Sequence, residues 1–231
     1  MKRIMTTVFC LFFAVPMVSL LANDVTVREL KGTVEIRRGV SEEWKALQAG
    51  EMLRPEDTIR TGKNASVRVL VDGKQLRVPE NTMVDISDFR HMGQEEFLLK
   101  LAMENILAVP PREDGSLTIP RTTVIHGTDA RESSNEQLGT GAGLMQLQGA
   151  KLLYENSFHA TSILKAKETF RLYPDLQTNI DARMRIATSF ETMKLSNEAL
   201  TEYSGLLGEQ LPDLQKRAVQ KAIERIRSTQ R

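Results

Sequence analysis

The strongest constraint on this chain is a pair of alternating apolar runs around one dipeptide. Val67, Val69 and Val71 precede Asp72-Gly73, Leu76 and Val78 follow it, and Val84 and Ile86 extend the pattern. A period of two places one face of a strand on a core and the other in water. Asp-Gly between two such runs predicts a type I′ hairpin, which needs positive φ at both central residues. The stretch 59–86 is therefore predicted to be the centre of an antiparallel β domain. It carries no catalytic pattern.

Upstream, Val25, Val27 and Leu30, then Val34 and Ile36, alternate with polar residues. Arg38-Gly39, Ala49-Gly50-Glu51 and Pro55-Glu56-Asp57 punctuate them as turns. Short strands with regular turns predict a sandwich, roll or small barrel over residues 23–129. Gly32, Gly50, Gly62 and Gly73 are expected at turns or bulges. Asp57 and Thr61 are expected to bond turn backbone. Trp44, the single tryptophan, is expected to plug the core between sheets.

The chain opens with Lys2-Arg3, an apolar run from Ile4 to Leu21, and then Ala22. That order describes a secretory signal peptide over 1–22, cleaved near Ala22. Thr7-Val8-Phe9 before Cys10 does not fit a lipidation site. Cys10, the only cysteine, leaves with the signal, so no disulfide or thiolate site is expected. An exported chain of this size without disulfides points to a bacterial periplasm. Without Lys2 and Arg3, the 31 basic residues become 29 against 30 acidic ones. Such a balance does not suggest nucleic-acid binding, which rests on phosphate neutralisation. No later apolar run is long enough to span a membrane.

Several spaced groups carry a family resemblance. They are Val27-x-x-Leu30-x-Gly32-x-Val34-x-Ile36, Trp44-x-x-Leu47-x-x-Gly50, Asp57-x-Ile59-Arg60-Thr61-Gly62 and Val69-Leu70-x-Asp72-Gly73. In order and spacing they resemble a FecR-type domain. The segments 103–109 and 119–129 are similar to that family's closing half, with His126 where the family usually has Arg. The resemblance covers about residues 25–130 and implies envelope signalling or scaffolding. No run after the signal matches the membrane span of the signalling members. The domain is therefore carried over and the pathway is not.

Residues 130–143 lack apolar periodicity and read as a linker. Gly139, Gly141 and Gly143 do not have the spacing of a phosphate loop. From Leu144 the pattern becomes helical. Ala150, Tyr154 and Phe158 recur as Ala182, Ile186 and Phe190, and Ala166 and Phe170 recur as Ala199 and Tyr203. An offset of 32–33 residues resembles the tetratricopeptide family of helix pairs. Tyr173-Pro174 and Leu211-Pro212 are expected to end the second helices. Leu214, Ala218, Ala222, Ile223 and Ile226 predict an amphipathic capping helix. The fold class expected is thus two-domain: an all-β sandwich or roll, then all-α tetratricopeptide-like hairpins over 144–231.

His91, His126 and His159 are far apart and show no metal-ligand spacing. Ser87, Asp88 and His91 are the best hydrolase candidate, and no G-x-S-x-G is present. Arg37, Arg38, Arg60, Arg68 and Arg77 read as solvated strand faces, with an anionic-polymer surface as the sharper alternative. The tetratricopeptide resemblance implies that the first helix of each pair lines a groove. In the second unit this places Asp181, Met184, Thr188 and Glu191 there. The expectation is a non-enzymatic periplasmic interaction protein without catalytic, metal or cofactor residues. Its expected partners are other envelope proteins or a second copy of itself. A peptidoglycan- or polysaccharide-binding protein is the alternative.

Overall fold

The computed structural model describes residues 25–109 and 139–230. The expected signal peptide, the segment 119–129 with His126, and residues 130–138 of the expected linker lie outside the described residues.

Eight strands come first: β1 (Val25–Lys31), β2 (Val34–Arg37), β3 (Trp44–Ala46), β4 (Met52–Leu53), β5 (Thr58–Thr61), β6 (Ser66–Val71), β7 (Lys74–Val78) and β8 (Met83–Asp85). They form two four-stranded antiparallel sheets, ordered β4-β1-β6-β7 and β3-β2-β5-β8. The predicted hairpin is β6–β7. Val71 pairs with Lys74 across a turn in which Asp72 has φ 48° and Gly73 has φ 77°. Both positive values are what a type I′ turn requires. The alternating residues Val25, Val27, Val34, Ile36, Ile59, Val67, Val69, Val78 and Val84 are buried together in one core. Gly32, at φ 69°, admits no side chain, because a Cβ there would lie 2.9 Å from Ala65 Cα. Thr61 Oγ1 donates to Pro79 O at 2.6 Å and accepts from Thr82 N at 3.0 Å. Asp57 accepts from Arg54 N at 2.8 Å. Both residues bond turn backbone, as expected.

A 3-10 turn (Ile86–Asp88) leads to α1 (Gln94–Leu107). After the undescribed segment come α2 (Gly139–Glu155), α3 (His159–Leu172), a 3-10 segment (Pro174–Thr178), α4 (Ile180–Thr192), α5 (Ser196–Leu207) and α6 (Asp213–Thr229). A β region followed by a helical region is therefore observed. The two share their cores in a way that chain order does not suggest. Phe97 and Leu101 of α1, on the β side of the chain, are buried with the helical core. Leu152 and Leu153 of α2, and Phe158 just after it, are buried with the β core. Full burial of each such side chain contributes roughly 1.5–3 kcal/mol, so the exchange binds the two regions together. The close approach is made at Gly149, where a Cβ would meet Met83 O of β8 at 2.1 Å. Residues 139–143 of the expected linker form the first turns of α2.

The helices pair as α2 with α3 and α4 with α5, but not in the expected register. The turn after α2 has Ser157 at φ 66°, and the turn after α4 has Lys194 at φ 62°. Phe158 N donates to Leu153 O as Leu195 N does to Phe190 O, and Ser162 N to Phe158 O as Ala199 N does to Leu195 O. Each pair of equivalents is 37 residues apart, so the offset of 32–33 is corrected. Phe158 caps α3 against the β core, whereas Phe190 lies inside α4 in the helical core. The two phenylalanines are not equivalent. Asn179 caps α4 by accepting from Ala182 N at 2.9 Å. Tyr173-Pro174 ends α3 as expected, whereas Pro212 is the residue at which α6 begins. The buried stripe of α6 is Val219, Ala222, Ile223 and Ile226, with Leu214 82% exposed.

Candidate functional site

The register of the second sheet builds a polar row across its outer face. Ile36 points into the core, so Arg37 points out. Trp44 and Thr58 both pair with Arg37, and Asp85 pairs with Thr58. Directly opposed residues share a face, which puts all four on the outer side. Trp44 is therefore not the expected core plug. It lies half-buried outside, with the Arg60 guanidinium 4.2 Å and the Arg37 guanidinium 5.3 Å from its ring centroid. Arg60 is held by Glu35, donating from Nη2 to Oε2 at 2.7 Å.

The row continues inward as hydrogen bonds. Arg37 Nη2 donates to Thr58 Oγ1 at 3.2 Å, and Thr58 Oγ1 donates to Asp85 Oδ1 at 2.6 Å. Asp85 Oδ2 accepts from Lys165 Nζ of α3. Helix α3 reaches the site through Thr161, whose Oγ1 donates to Asp88 O at 2.8 Å. Lys165 is 6% exposed and is also 3.5 Å from Glu168 and 3.8 Å from Asp88. Three carboxylates thus surround one ammonium.

The electrostatics follow from burial and this crowding. Burial favours neutral Lys165, but Asp88, Asp85 and Glu168 together hold it as an ammonium with a pKa above the ordinary lysine value. Burial would raise Asp85, yet Lys165 and the Thr58 hydroxyl bring it below the usual carboxylate range. Burial pushes Asp88 up to about 7, with Asp85 and Glu168 adding to the rise and Lys165 opposing it. The Asp88 side chain is 20% exposed as a whole, but its Oδ2 is shielded from water and has no hydrogen-bond partner.

This arrangement reassigns the hydrolase candidate. Asp88 faces Lys165, and the His91 ring lies on Phe158 at 5.0 Å between centroids. Each is committed elsewhere, so Ser87, Asp88 and His91 form no relay. Ser162 stands three residues before Lys165, the spacing of a Ser-x-x-Lys pair. However, Ser162 Oγ donates to Ala150 O at 2.7 Å, and Lys165 stays protonated. Ser162 Oγ and Lys165 Nζ are thus bonded to other groups rather than to each other. His159 lies 3.3 Å from Ser189 Oγ, and burial lowers its pKa, with His91 adding to the effect. Among the described residues, no three His, Cys, Asp or Glu side chains are grouped as metal ligands.

The four residues expected on the α4 groove have different surroundings. Asp181 is exposed. Met184 packs against the helical core. Thr188 Oγ1 is 3.3 Å from the Tyr203 hydroxyl, which donates to Glu191 Oε2 at 3.1 Å. Arg225 of α6 donates to both Glu191 oxygens at 2.9 and 3.0 Å. Thr188 and Glu191 therefore join α4 to α5 and α6. Sequence reasoning missed Lys165, Asp85 and Glu168. The one available signal was Lys165 between Thr161 and Thr169 at i±4, a polar stripe beside the apolar face of Ile163, Ala166 and Phe170.

No protein-family model, curated protein or solved structure matches the chain.

Proposed function

We propose that this is a non-enzymatic periplasmic protein that binds other envelope proteins, as a scaffold or in envelope signalling. The observation that carries this reading is the duplicated helical hairpin, with the same capping bonds repeated 37 residues apart and α6 packed on α5. Stacked helix pairs present an extended surface rather than a reaction centre. The FecR-like spacing of the strands and the tetratricopeptide-like helix pairs support it, as does the signal-like start of the sequence. A photo-crosslinking residue at exposed Asp181 tests it, with Leu214 as the exposed control. A discrete adduct in the periplasm from position 181 alone is expected. Equal labelling from both positions would remove the α4 face from the proposal.

Trp44 favours a second reading, in which the β region binds a peptidoglycan or polysaccharide strand. An outward tryptophan beside Arg37 and Arg60 offers a ring and two cations to an anionic polymer. Co-sedimentation with isolated peptidoglycan is expected to fall on Trp44→Ala. Unchanged sedimentation would discard this reading.

A further inference from the structure

Strand β7 stands at one edge of the first sheet and, among the described residues, pairs only with β6. The hairpin fixes which of its backbone groups are used. In a two-residue type I′ hairpin the residues flanking the turn exchange both backbone bonds, and bonded and non-bonded pairs then alternate. Val71 with Lys74, Val69 with Leu76 and Val67 with Val78 are therefore the bonded pairs. The N–H and C=O groups of Gln75 and Arg77 point away from β6, along an open edge. Both residues are exposed, while Leu76 and Val78 are buried in the β core.

The outer face beside this edge is basic. Pairing sets Arg77 directly opposite Arg68, Arg68 opposite Glu29, and Lys31 opposite Ser66. Opposed residues share a face, as do residues two apart in a strand, so Arg77, Arg68, Glu29 and Lys31 all project outward. Arg28, at the bulge of β1, is exposed as well. These four bases stand against one acid, Glu29, which accepts from Arg68. Among the described residues, Arg77 has no carboxylate within ion-pair distance, and the residue opposite it is a like charge, which is unfavourable. Each end of the hairpin carries one charge of each sign, Asp72 and Lys74 at the turn, Lys63 and Glu80 at the other. The surplus therefore belongs to the outer face. Cations on an open edge guard it against a second copy of the same strand, which would bring like charges together. An acidic strand meets no such barrier.

We propose that the open edge of β7 takes up an extended acidic segment of a partner protein as a further antiparallel strand. The backbone of the segment bonds Gln75 and Arg77. Its carboxylates lie on the outer face opposite Arg77, with Arg68 behind, and its alternate apolar residues continue the core side next to Leu76 and Val78. This deepens the interaction reading above by giving the partner's chemistry, and it rests on that reading without using the α4 face.

Fluorescence anisotropy tests it with the intact chain and a labelled Thr-Val-Glu-Val-Glu-Val-Thr peptide. One comparison peptide has Lys at both Glu positions. Another has both glutamates N-methylated, which keeps the charge and removes the two amides that would face β7. The parent peptide is expected to bind at least about tenfold more tightly than either. Arg77→Glu, at an exposed position, is expected to weaken it about tenfold with circular dichroism unchanged. No binding of the parent peptide, equal binding of the lysine peptide, or binding insensitive to Arg77→Glu would overturn the proposal. Equal binding of the N-methylated peptide would also overturn it, in favour of charge attraction without an added strand. Binding seen only after residues 110–138 are replaced by a Gly-Ser linker would overturn it in favour of an intramolecular occupant. An Arg77-dependent dimer in sedimentation, with no peptide bound, would assign the edge to a second copy instead. Failure of the peptide with the Asp181 adduct retained would overturn this edge alone, whereas loss of the adduct with peptide binding kept would remove the α4 face and support the edge.

Discussion

Lys165 of α3 bonds to Asp85 of β8 across 80 residues of chain, with the lysine side chain 6% exposed. The bond ties the helical region to the outer face of the second sheet. Glu168 and Asp88 crowd the same ammonium, so its removal would leave three carboxylates facing one another, Asp88 the most enclosed of them. Lys165→Ala is therefore expected to destabilise the fold by about 3–5 kcal/mol at neutral pH, the range for breaking a buried ion pair. The folded pKa of Lys165 is raised, so its contribution is fully present below the ordinary lysine value and lost only as pH rises through the folded one. Urea unfolding at pH 7 checks this; a cost below about 1 kcal/mol would show that the cluster adds little.

Asp88 gives a pH dependence of the same sign at lower pH. Its pKa rises from 3.8 to about 7 on folding, so the folded state holds its proton more tightly. Its contribution is present below the unfolded value and is lost as pH rises from about 4 to 7. Asp88→Asn is expected to remove that slope. Relative to the parent chain, the variant should gain on the order of 2–4 kcal/mol between pH 4.5 and 7.5, at 1.36 kcal/mol per unit. Denaturant titrations at the two pH values measure the difference, and parallel pH profiles would contradict it.

Two glycines of α2 are expected to respond to alanine with opposite signs. At Gly149 a Cβ would lie 2.1 Å from Met83 O, so α2 must separate from β8. Gly149→Ala is expected to cost more than about 3 kcal/mol, well above the gain in helix propensity of about 1 kcal/mol. At Gly141 nothing lies within 4 Å of the added atom. Gly141→Ala is expected to stabilise by about 0.5–1 kcal/mol. Thermal melts of both variants provide the check.

Trp44 is expected to behave as a surface residue. Trp44→Ala should cost about 1 kcal/mol through the lost contacts with Arg37 and Arg60, well under the 3–5 kcal/mol of a core aromatic. As the only tryptophan it reports directly. Iodide should quench its fluorescence in the folded chain, and Arg60→Ala should shift its emission. A blue-shifted, unquenched signal would return it to the core.

The local signals in the sequence were sound where the partner of each residue was close in the chain. Asp72-Gly73 gave the hairpin because turn geometry depends on those residues alone. Asp57 bonds the backbone of Arg54, three residues away, for the same reason, whereas the turn that Thr61 bonds lies 18–21 residues on and was placed by strand pairing. The helix-pair pattern was legible, but its register was not. Ala and Phe recur on many buried faces, and it is the positive φ at Ser157 and Lys194, with the matching capping bonds, that marks equivalent turns. The fate of Trp44 was decided by strand pairing, which opposes it to Arg37. Of the α4 residues, Thr188 and Glu191 bond to Tyr203 and Arg225, whose approach depends on how α5 and α6 fold back.

The sequence by itself determined most element types: strands by their period of two, turns by glycine and aspartate, and helices after residue 144 by their apolar spacing; it did not announce α1, a helix over Gln94–Leu107 inside the stretch 23–129 expected to be all β. Tertiary structure alone decided what each buried face meets. It placed Phe97 and Leu101 of α1 in the helical core and Leu153 and Phe158 in the β core. It also turned Lys165, by sequence an ordinary helix cation, into the centre of a buried cluster. The reason is that periodicity reports how much of a residue is removed from water, which is a local property. The surface that replaces the water is set by parts of the chain up to 80 residues away.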